Sequence, residues 1–471
     1  MPEPLTQKEV LAKLARGESF KDVEIGDVSF RNYAFKKELN LRGAVFTGKV
    51  NFEKTQFLNG ATFFKAKFIG ETNFSLAMFF DETDFTMATF SAEEMVRFTK
   101  AKFLGGVSFA AARFSTKGGA SFQQAQFTGE NGVIFSVAQF YSGADFSQAQ
   151  FSNERGVNFS TAGFHGERGA SFSNAKFSGS KGADFSTTQF SSEGGTNFNN
   201  AQFLGPGKTR FENTSFRKDK PVFFNKVEID SFGSLQFIDV SLDNFLFRYT
   251  DLEKVDFKNV YFCQTKNWFF NREYLADEDQ NKIVTKNSNK IKYGRKYYIQ
   301  VEIVYRKLKE NFETQRDYAR AGDFHYGEME MRRKSKILAW EERPVSKYLP
   351  FLKYLSLTQC YKIVSGYGEK WQQALVSFIA VWILFTGLNL PLIQPVQQQT
   401  TQVEKWQQDS LHRVTGSALF SFKVLTLQRW DRDLQLKGTS YLPGLFVSLQ
   451  HLIGPTIIAL MLLAIRRQFR R

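Results

Sequence analysis

The sequence predicts a mainly β protein, a square β-solenoid followed by an α-helical adaptor and two transmembrane helices. Three observations carry this. Phenylalanines recur five residues apart, as Phe52/Phe57, Phe63/Phe68, Phe74/Phe79, Phe85/Phe90, Phe98/Phe103, Phe109/Phe114 and Phe122/Phe127, in a series that runs on to Phe211/Phe216. Two places before the second Phe of each pair stands a small residue: Ala44, Ala66, Ala77, Ala88, Ala101, Ala112, Ala125, Ala138, Ala149, Ala162, Ala175 and Ala201, with Thr55, Thr188 and Thr214 as substitutes. Finally, Ala374 to Ile393 and Tyr441 to Ile465 contain no charged residue.

The first element, residues 1–23, reads as a capping helix. Thr6-Gln7-Lys8-Glu9 has the spacing of a capping box ahead of Val10-Leu11-Ala12-Lys13-Leu14. Such a helix would cover the first coil, whose open strand edge is otherwise a template for aggregation. No basic stretch followed by an apolar run precedes it, so no cleaved signal peptide is expected.

Residues 24–263 form the solenoid. A step of five fits neither a helical face, which recurs at three and four, nor a strand face, which recurs at two. It is natural if the chain turns a corner after each short extended piece, four pieces making one coil. The central Phe and the small residue two places earlier then both point inward, and the small residue leaves room for the rings above and below. Some gaps between pairs are six residues long, while others are eight and carry Gly, as in Phe114 to Phe122 and Phe164 to Phe172. The longer gaps predict wider corners in which Gly supplies positive φ. Phe232, Phe237, Leu242, Phe247, Leu252, Phe257 and Phe262 keep an uninterrupted step of five, so the last coils should be tighter. About ten coils at strand spacing predict a rod of ~48 Å.

Ala144-Asp145-Phe146, Ala183-Asp184-Phe185 and Thr196-Asn197-Phe198 resemble the units of the pentapeptide-repeat family, Ala-(Asp/Asn)-(Leu/Phe)-x-x. The resemblance covers Ile25 to Phe262, about half the chain. It implies a right-handed quadrilateral β-helix and a bacterial source, with an inner or thylakoid membrane as the setting. It implies little about function, because a fold is not a function.

Charge separates the regions. Ala44 to Phe216 holds 15 Lys/Arg against 14 Asp/Glu, whereas Lys292 to Lys370 holds 17 against 10. A DNA-mimicking solenoid would need an acidic face, and a nucleic-acid binder a basic one; no nucleic-acid partner is expected. Residues 264–370 read as the helical adaptor and juxtamembrane segment. Tyr297 to Ile337 predicts two helices: Val301, Val304, Tyr305, Leu308 and Phe312 make one apolar stripe, and Tyr318, Ala321, Phe324 and Met331 another. The stretch from Asp317 to Arg333 resembles the connector of membrane-bound pentapeptide-repeat proteins, and also a single tetratricopeptide unit. A packed adaptor is the plainer role, docking of a protein partner the other.

Residues 371–471 read as a two-span membrane domain, each uncharged stretch long enough for a ~30 Å hydrocarbon layer. Arg343, Lys347, Lys353, Lys362 and Lys370 precede the first span, and Arg466, Arg467, Arg470 and Arg471 follow the second. Six basic residues also lie between the spans, so the positive-inside bias is moderate; both termini are expected in the cytoplasm. Trp371 and Trp382 suit interfacial or lipid-facing anchors. A short helix is predicted from Ser410 to about Leu427. Span, half-helix, loop, span is the topology of two-helix cation channels, and Ser417 to Leu427 and Ser448 to Leu460 resemble the pore and inner helices of channel-like pentapeptide-repeat proteins. The position of a potassium filter reads Thr426-Leu427-Gln428-Arg429-Trp430-Asp431, without the glycines a carbonyl ladder needs and with a cation-repelling arginine. A degenerate pore is therefore expected. Gly366-Tyr367-Gly368 precedes the first span and reads as a turn.

The candidate polar residues of this domain are Thr426, Gln428, Arg429, Asp431, Gln450 and His451, with Gly454 and Pro455 as a candidate hinge. Polar groups inside a span are costly and point to function; the plainer reading of Gln450 and His451 is a hydrogen bond to a neighbouring helix. His165, His325 and His412 are isolated. Neither a catalytic triad, a phosphate loop nor a metal cluster is recognisable, so neither enzyme activity, cofactor nor metal is expected. Cys263 and Cys360 have no zinc or disulfide spacing. The expected partners are a lipid membrane and a protein on the solenoid or adaptor, with a homo-oligomer left open, a tetramer if the domain is channel-like. Two functions follow: a membrane-anchored scaffold, or an oligomeric ion channel or channel-derived protein with a non-standard filter.

Overall fold

The computed structural model describes residues 3–230, 234–265, 271–279, 293–348, 350, 356–395, 410–429, 434–436 and 441–469. They divide into two compact units. The first holds residues 1–266, 271–293 and 300–311; the second holds 267–270, 294–299 and 312–471.

The first unit is a parallel β-solenoid. Four sheets of nine, ten, nine and ten strands run its length, and the chain visits them in turn. Every central Phe from Phe46 to Phe211 is essentially fully buried, as are the alanines two places before. Rings stack in columns: Phe57 on Phe79 at 4.5 Å and 2°, Phe79 on Phe103 at 4.7 Å, Phe103 on Phe127 at 5.0 Å. Neighbouring columns meet edge to face, as Phe98 meets Phe109 at 5.3 Å and 84°. Both arrangements suit the ring quadrupole. Where Thr takes the alanine slot it stays buried because its hydroxyl donates to a carbonyl of the preceding coil, Thr55 to Phe30 at 2.7 Å and Thr188 to Phe159 at 2.8 Å.

Coil length follows the gaps. Val45 pairs with Lys67, Gln189 with Ser215 and Leu235 with Val255, steps of 22, 26 and 20 residues respectively. The last is four bare pentapeptides, the tight coil expected; Phe232 lies outside the described residues. Glycines do turn the wide corners, and Gly156, at φ +72°, lies so close to the next coil that a Cβ would overlap the Gly182 carbonyl.

Glycine is not, however, the main source of positive φ. Among the described residues, twenty others from Asp22 to Asn259 adopt it, including Lys54, Leu76, Gln124 and Val137. Each stands two residues after a Phe and third in its turn, as in Phe52-Glu53-Lys54-Thr55, closed by Thr55 N–H donating to the Phe52 carbonyl at 3.1 Å. This is the third position of a type II turn. The conformation costs an L-residue roughly 1–2 kcal/mol; it is held by inter-coil bonds such as Lys54 N–H to Ser75 O at 2.9 Å. Val137, exposed and β-branched at φ 61°, is the least suited of these. Val137→Asn is expected to stabilise the solenoid by about 1 kcal/mol, read from the denaturation midpoint; a lower midpoint contradicts the strain. Where Asp or Asn precedes the Phe that opens a turn, it bonds the turn backbone: Asn73 accepts from Ser75 N–H at 2.9 Å and Asp145 from Ser147 N–H at 2.8 Å.

Both ends of the rod are covered from within the first unit. At one end α1, Gln7–Ala15, is entered through Thr6, whose N–H and hydroxyl both donate to the Glu9 carboxylate at 2.8 and 2.7 Å. Leu5 pairs with Ile25, and Gln7 accepts from Ser29 N–H at 3.0 Å, so edge groups of the first coil find partners. At the other end lies the 300–311 stretch of α2, Arg295–Thr314. Its Asn311 side chain is buried and donates to the carbonyls of Leu252, Glu253 and Val255 at 2.9, 2.9 and 2.7 Å.

Asp277, fully buried at this end, accepts from Phe247 N–H at 2.7 Å. Burial pushes its carboxyl up to about 6, against the pull of that hydrogen bond and of Arg248. The folded chain thus holds this proton to higher pH than the unfolded chain does. Its contribution to the stability of the solenoid is fully present below about pH 4 and is lost as pH rises to about 6, about 3 kcal/mol in all. Asp277→Asn is expected to flatten that segment of the stability–pH curve; an unchanged slope would reject the assignment.

The second unit is helical. Its α-helices among the described residues include α3 (Tyr318–Glu341), α4 (Leu357–Ser365), α5 (Trp371–Asn389), α6 (Ser410–Leu425) and α7 (Tyr441–Phe469), with Ile393–Pro395 paired antiparallel to Leu434–Leu436. Gly366-Tyr367-Gly368 is the turn joining α4 to α5, three successive residues at positive φ.

Candidate functional site

Two places in this fold gather polar side chains in a way packing alone does not demand. The first is a seam between α5, α6 and α7. The sequence supplies it by interrupting apolar helices with single small polar residues. The Trp382 indole N–H donates to Ala418 O at 2.8 Å, Ser417 to Thr386 O at 2.6 Å and Asn389 Nδ2 to Ser421 Oγ at 2.9 Å. Trp382 is thus a helix–helix link rather than a purely lipid-facing anchor. Ser417, Ser421, Asn389 and Gln450 are all buried.

Gln450 departs from the expected hydrogen bond to a neighbouring helix: neither its oxygen nor its nitrogen has a partner, and Asn389 Oδ1 has none. The reason is the face it occupies. Val447, Gln450 and Gly454 fall three and four residues apart on α7, and Val447 packs with Phe420 and Val424 of α6. Gly454 lies so close to α6 that a Cβ would overlap the Leu425 carbonyl. The amide is therefore pressed toward an apolar surface. Orphaned buried polar groups cost about 1–3 kcal/mol, so Gln450→Leu is expected to stabilise the detergent-solubilised protein by about that much. A destabilised variant would mean that the amide is bonded.

The other expected pore residues do not converge on the seam. His451 is exposed, on the outward side of α7. Thr426 returns its hydroxyl to the helix, donating to Phe422 O at 2.8 Å. Gln428 and Arg429 are exposed beyond the end of α6, and Asp431 lies outside the described residues. α7 continues through Gly454-Pro455, and Gly454 answers the close approach of α6.

The second place is on the solenoid, and the sequence reading did not single it out. A groove of about 490 Å³ runs along the third sheet. Ten residues line it: three lysines, six amides and Leu76, without a carboxylate. They stand in two ladders. Strand positions Lys102, Gln126, Gln150, Lys176 and Gln202 pair in successive parallel registers. Turn positions two residues earlier contribute Lys100, Gln124 and Gln148, with Gln124 Nε2 donating to Gln148 Oε1 at 2.7 Å. At the far end Gln202 Nε2 donates to Glu228 at 2.6 Å. The signal was present in the chain: it appears when every fourth pentapeptide is aligned, because only then are stacked residues read together. The isolated His165 serves structure here, held between Gln139 Oε1 at 3.0 Å and Ser191 Oγ at 2.6 Å, and burial lowers its pKa.

No family model matches the chain, and neither the curated proteins nor the solved structures contain a match to it.

Proposed function

We propose that this protein is a non-enzymatic, membrane-anchored scaffold whose solenoid is offered to a protein partner. One observation carries the anchoring. Two helices are long and apolar enough to cross a membrane, Trp371–Asn389 and Gly444–Arg467, and they turn their apolar side chains outward. Val376 is 59% exposed, Ile383 63% and Leu452 69%; a core helix of a water-soluble body would bury them. Glu369 and Arg467, 2.7 Å apart, bring the start of α5 beside the end of α7, as a two-span hairpin requires. The scaffold reading draws on the solenoid interior, which stacked rings fill, leaving the outer faces as the surface for recognition.

The test is flotation of the full chain with lipid vesicles, followed by alkaline carbonate extraction. Retention in the lipid fraction, reduced by joint Ile383→Asp and Leu452→Asp substitution, supports the anchor; recovery of the unmodified protein in the soluble fraction rejects it.

A second reading is favoured by the half-helix α6 packed against both spans and by the orphaned Gln450 amide: an oligomeric channel or channel-derived protein. Currents in planar bilayers that disappear on changing Arg429 or His451 would support it, and monomers without flux would reject it.

A further inference from the structure

We propose that the groove on the third sheet binds an acidic α-helical segment of a partner protein, about four turns long. This rests on the scaffold reading and names the partner's chemistry. Charge sets the sign. The solenoid is nearly neutral overall, 15 basic against 14 acidic residues from Ala44 to Phe216, yet the groove lining concentrates Lys100, Lys102 and Lys176 among amides, and Glu228 meets it only at the Gln202 end. All three lysines are exposed.

Spacing sets the shape. Beneath the groove the ring column measures the rungs: Phe79 to Phe103 4.7 Å, Phe127 to Phe151 4.9 Å, Phe177 to Phe203 5.1 Å. A ligand lying along the axis meets an equivalent amide or lysine at each rung. An extended peptide repeats its same-side residues every ~6.6 Å and drifts by more than one rung over five. A helix repeats every ~5.4 Å and drifts by only ~2–3 Å over the same length, within reach of long side chains. Five rungs are four steps of ~5 Å, ~20 Å in all, or about 13 helical residues. Single-stranded nucleic acid would need aromatic stacking platforms, which the groove lining lacks. Glu or Asp at helical positions three and four apart would face the lysines, and the amides would serve the carboxylates as donors.

The experiment uses full-length protein in detergent micelles and a fluorescent 13-residue stapled Ala/Glu helix with its glutamates on one face, read by anisotropy. The triple variant K100E/K102E/K176E should bind at least tenfold more weakly, with an unchanged thermal melt. K117E, at a different corner, should bind as the unmodified protein does, and raised salt should weaken binding. Equal affinity of the triple variant overturns the proposal. So does equal or tighter binding of an alternating Glu/Thr extended peptide, a sulfated oligosaccharide or oligo-dT. Vesicle flotation is independent of peptide binding, so failure of the anchor and failure of the groove are read separately.

Discussion

Glu330→Ala is expected to cost the helical unit about 3–5 kcal/mol, the range for leaving a buried ion pair half-made. Glu330 sits on α3 and is buried. Its carboxylate receives Arg333 at 2.6 Å, Lys362 of α4 at 3.0 Å and the Tyr367 hydroxyl at 3.0 Å. Tyr367 is itself buried, at the turn that launches α5. One side chain therefore holds three elements, and its removal strands a guanidinium, an ammonium and a phenol together. Burial alone would raise the Glu330 pKa; the Arg333 hydrogen bond and the Lys362 charge overcome it and bring it down to about 2. A depressed carboxylate contributes stability above its unfolded value of about 4.5 and loses it as pH falls toward 2. The helical unit should accordingly lose about 3 kcal/mol across that acid window, and Glu330→Gln should remove that dependence while keeping an acceptor for Tyr367. Guanidinium denaturation in detergent at pH 7 and pH 3 checks both. A loss under 1 kcal/mol for the alanine variant would show that the three partners find water.

Phe109→Ala should destabilise the solenoid by about 3–5 kcal/mol through the cavity it leaves. Phe109 is fully buried, stacked between Phe85 at 4.8 Å and Phe135 at 4.9 Å, with edges of Phe98 and Phe122 at 5.3 and 5.4 Å. The backbone at each rung is tied to the next coil, so the walls cannot collapse into the gap; Phe109 N–H donates to Ile134 O at 2.6 Å. Each coil contacts only its neighbours, so the lesion also weakens coupling between the two halves of the rod. Protection from amide exchange should therefore drop first in the coils flanking residue 109. Phe109→Leu, which retains most of the volume, should cost less than half as much. Equal stability of the alanine variant would mean that the ring column is not close-packed.

The solenoid was legible because its signal is written many times. Phe, the small residue two places before it, the Asp/Asn turn residue and the Gly of wide corners each recur at fixed phase, and each has a local steric reason. The turn inside each Phe pair was less legible. Its third residue is Lys, Leu, Gln or Val as readily as Asn, because inter-coil bonds impose the positive φ whatever the side chain. The two long apolar helices were legible from length and charge. The fate of their polar residues was not: Gln450 and His451 are adjacent, yet one is buried and the other exposed.

Composition and period by themselves determined that this chain coils into a Phe-filled square rod and carries two lipid-compatible helices. Both are decided by spacings within about twenty-five residues, where backbone sterics and burial act locally. Folding alone decided that Asn311 closes the last coil, that Glu330 gathers Arg333, Lys362 and Tyr367, and that lysines and glutamines more than twenty residues apart share one groove. Those pairings depend on which surfaces meet in space, and a side chain's partners across that distance leave no period in the chain.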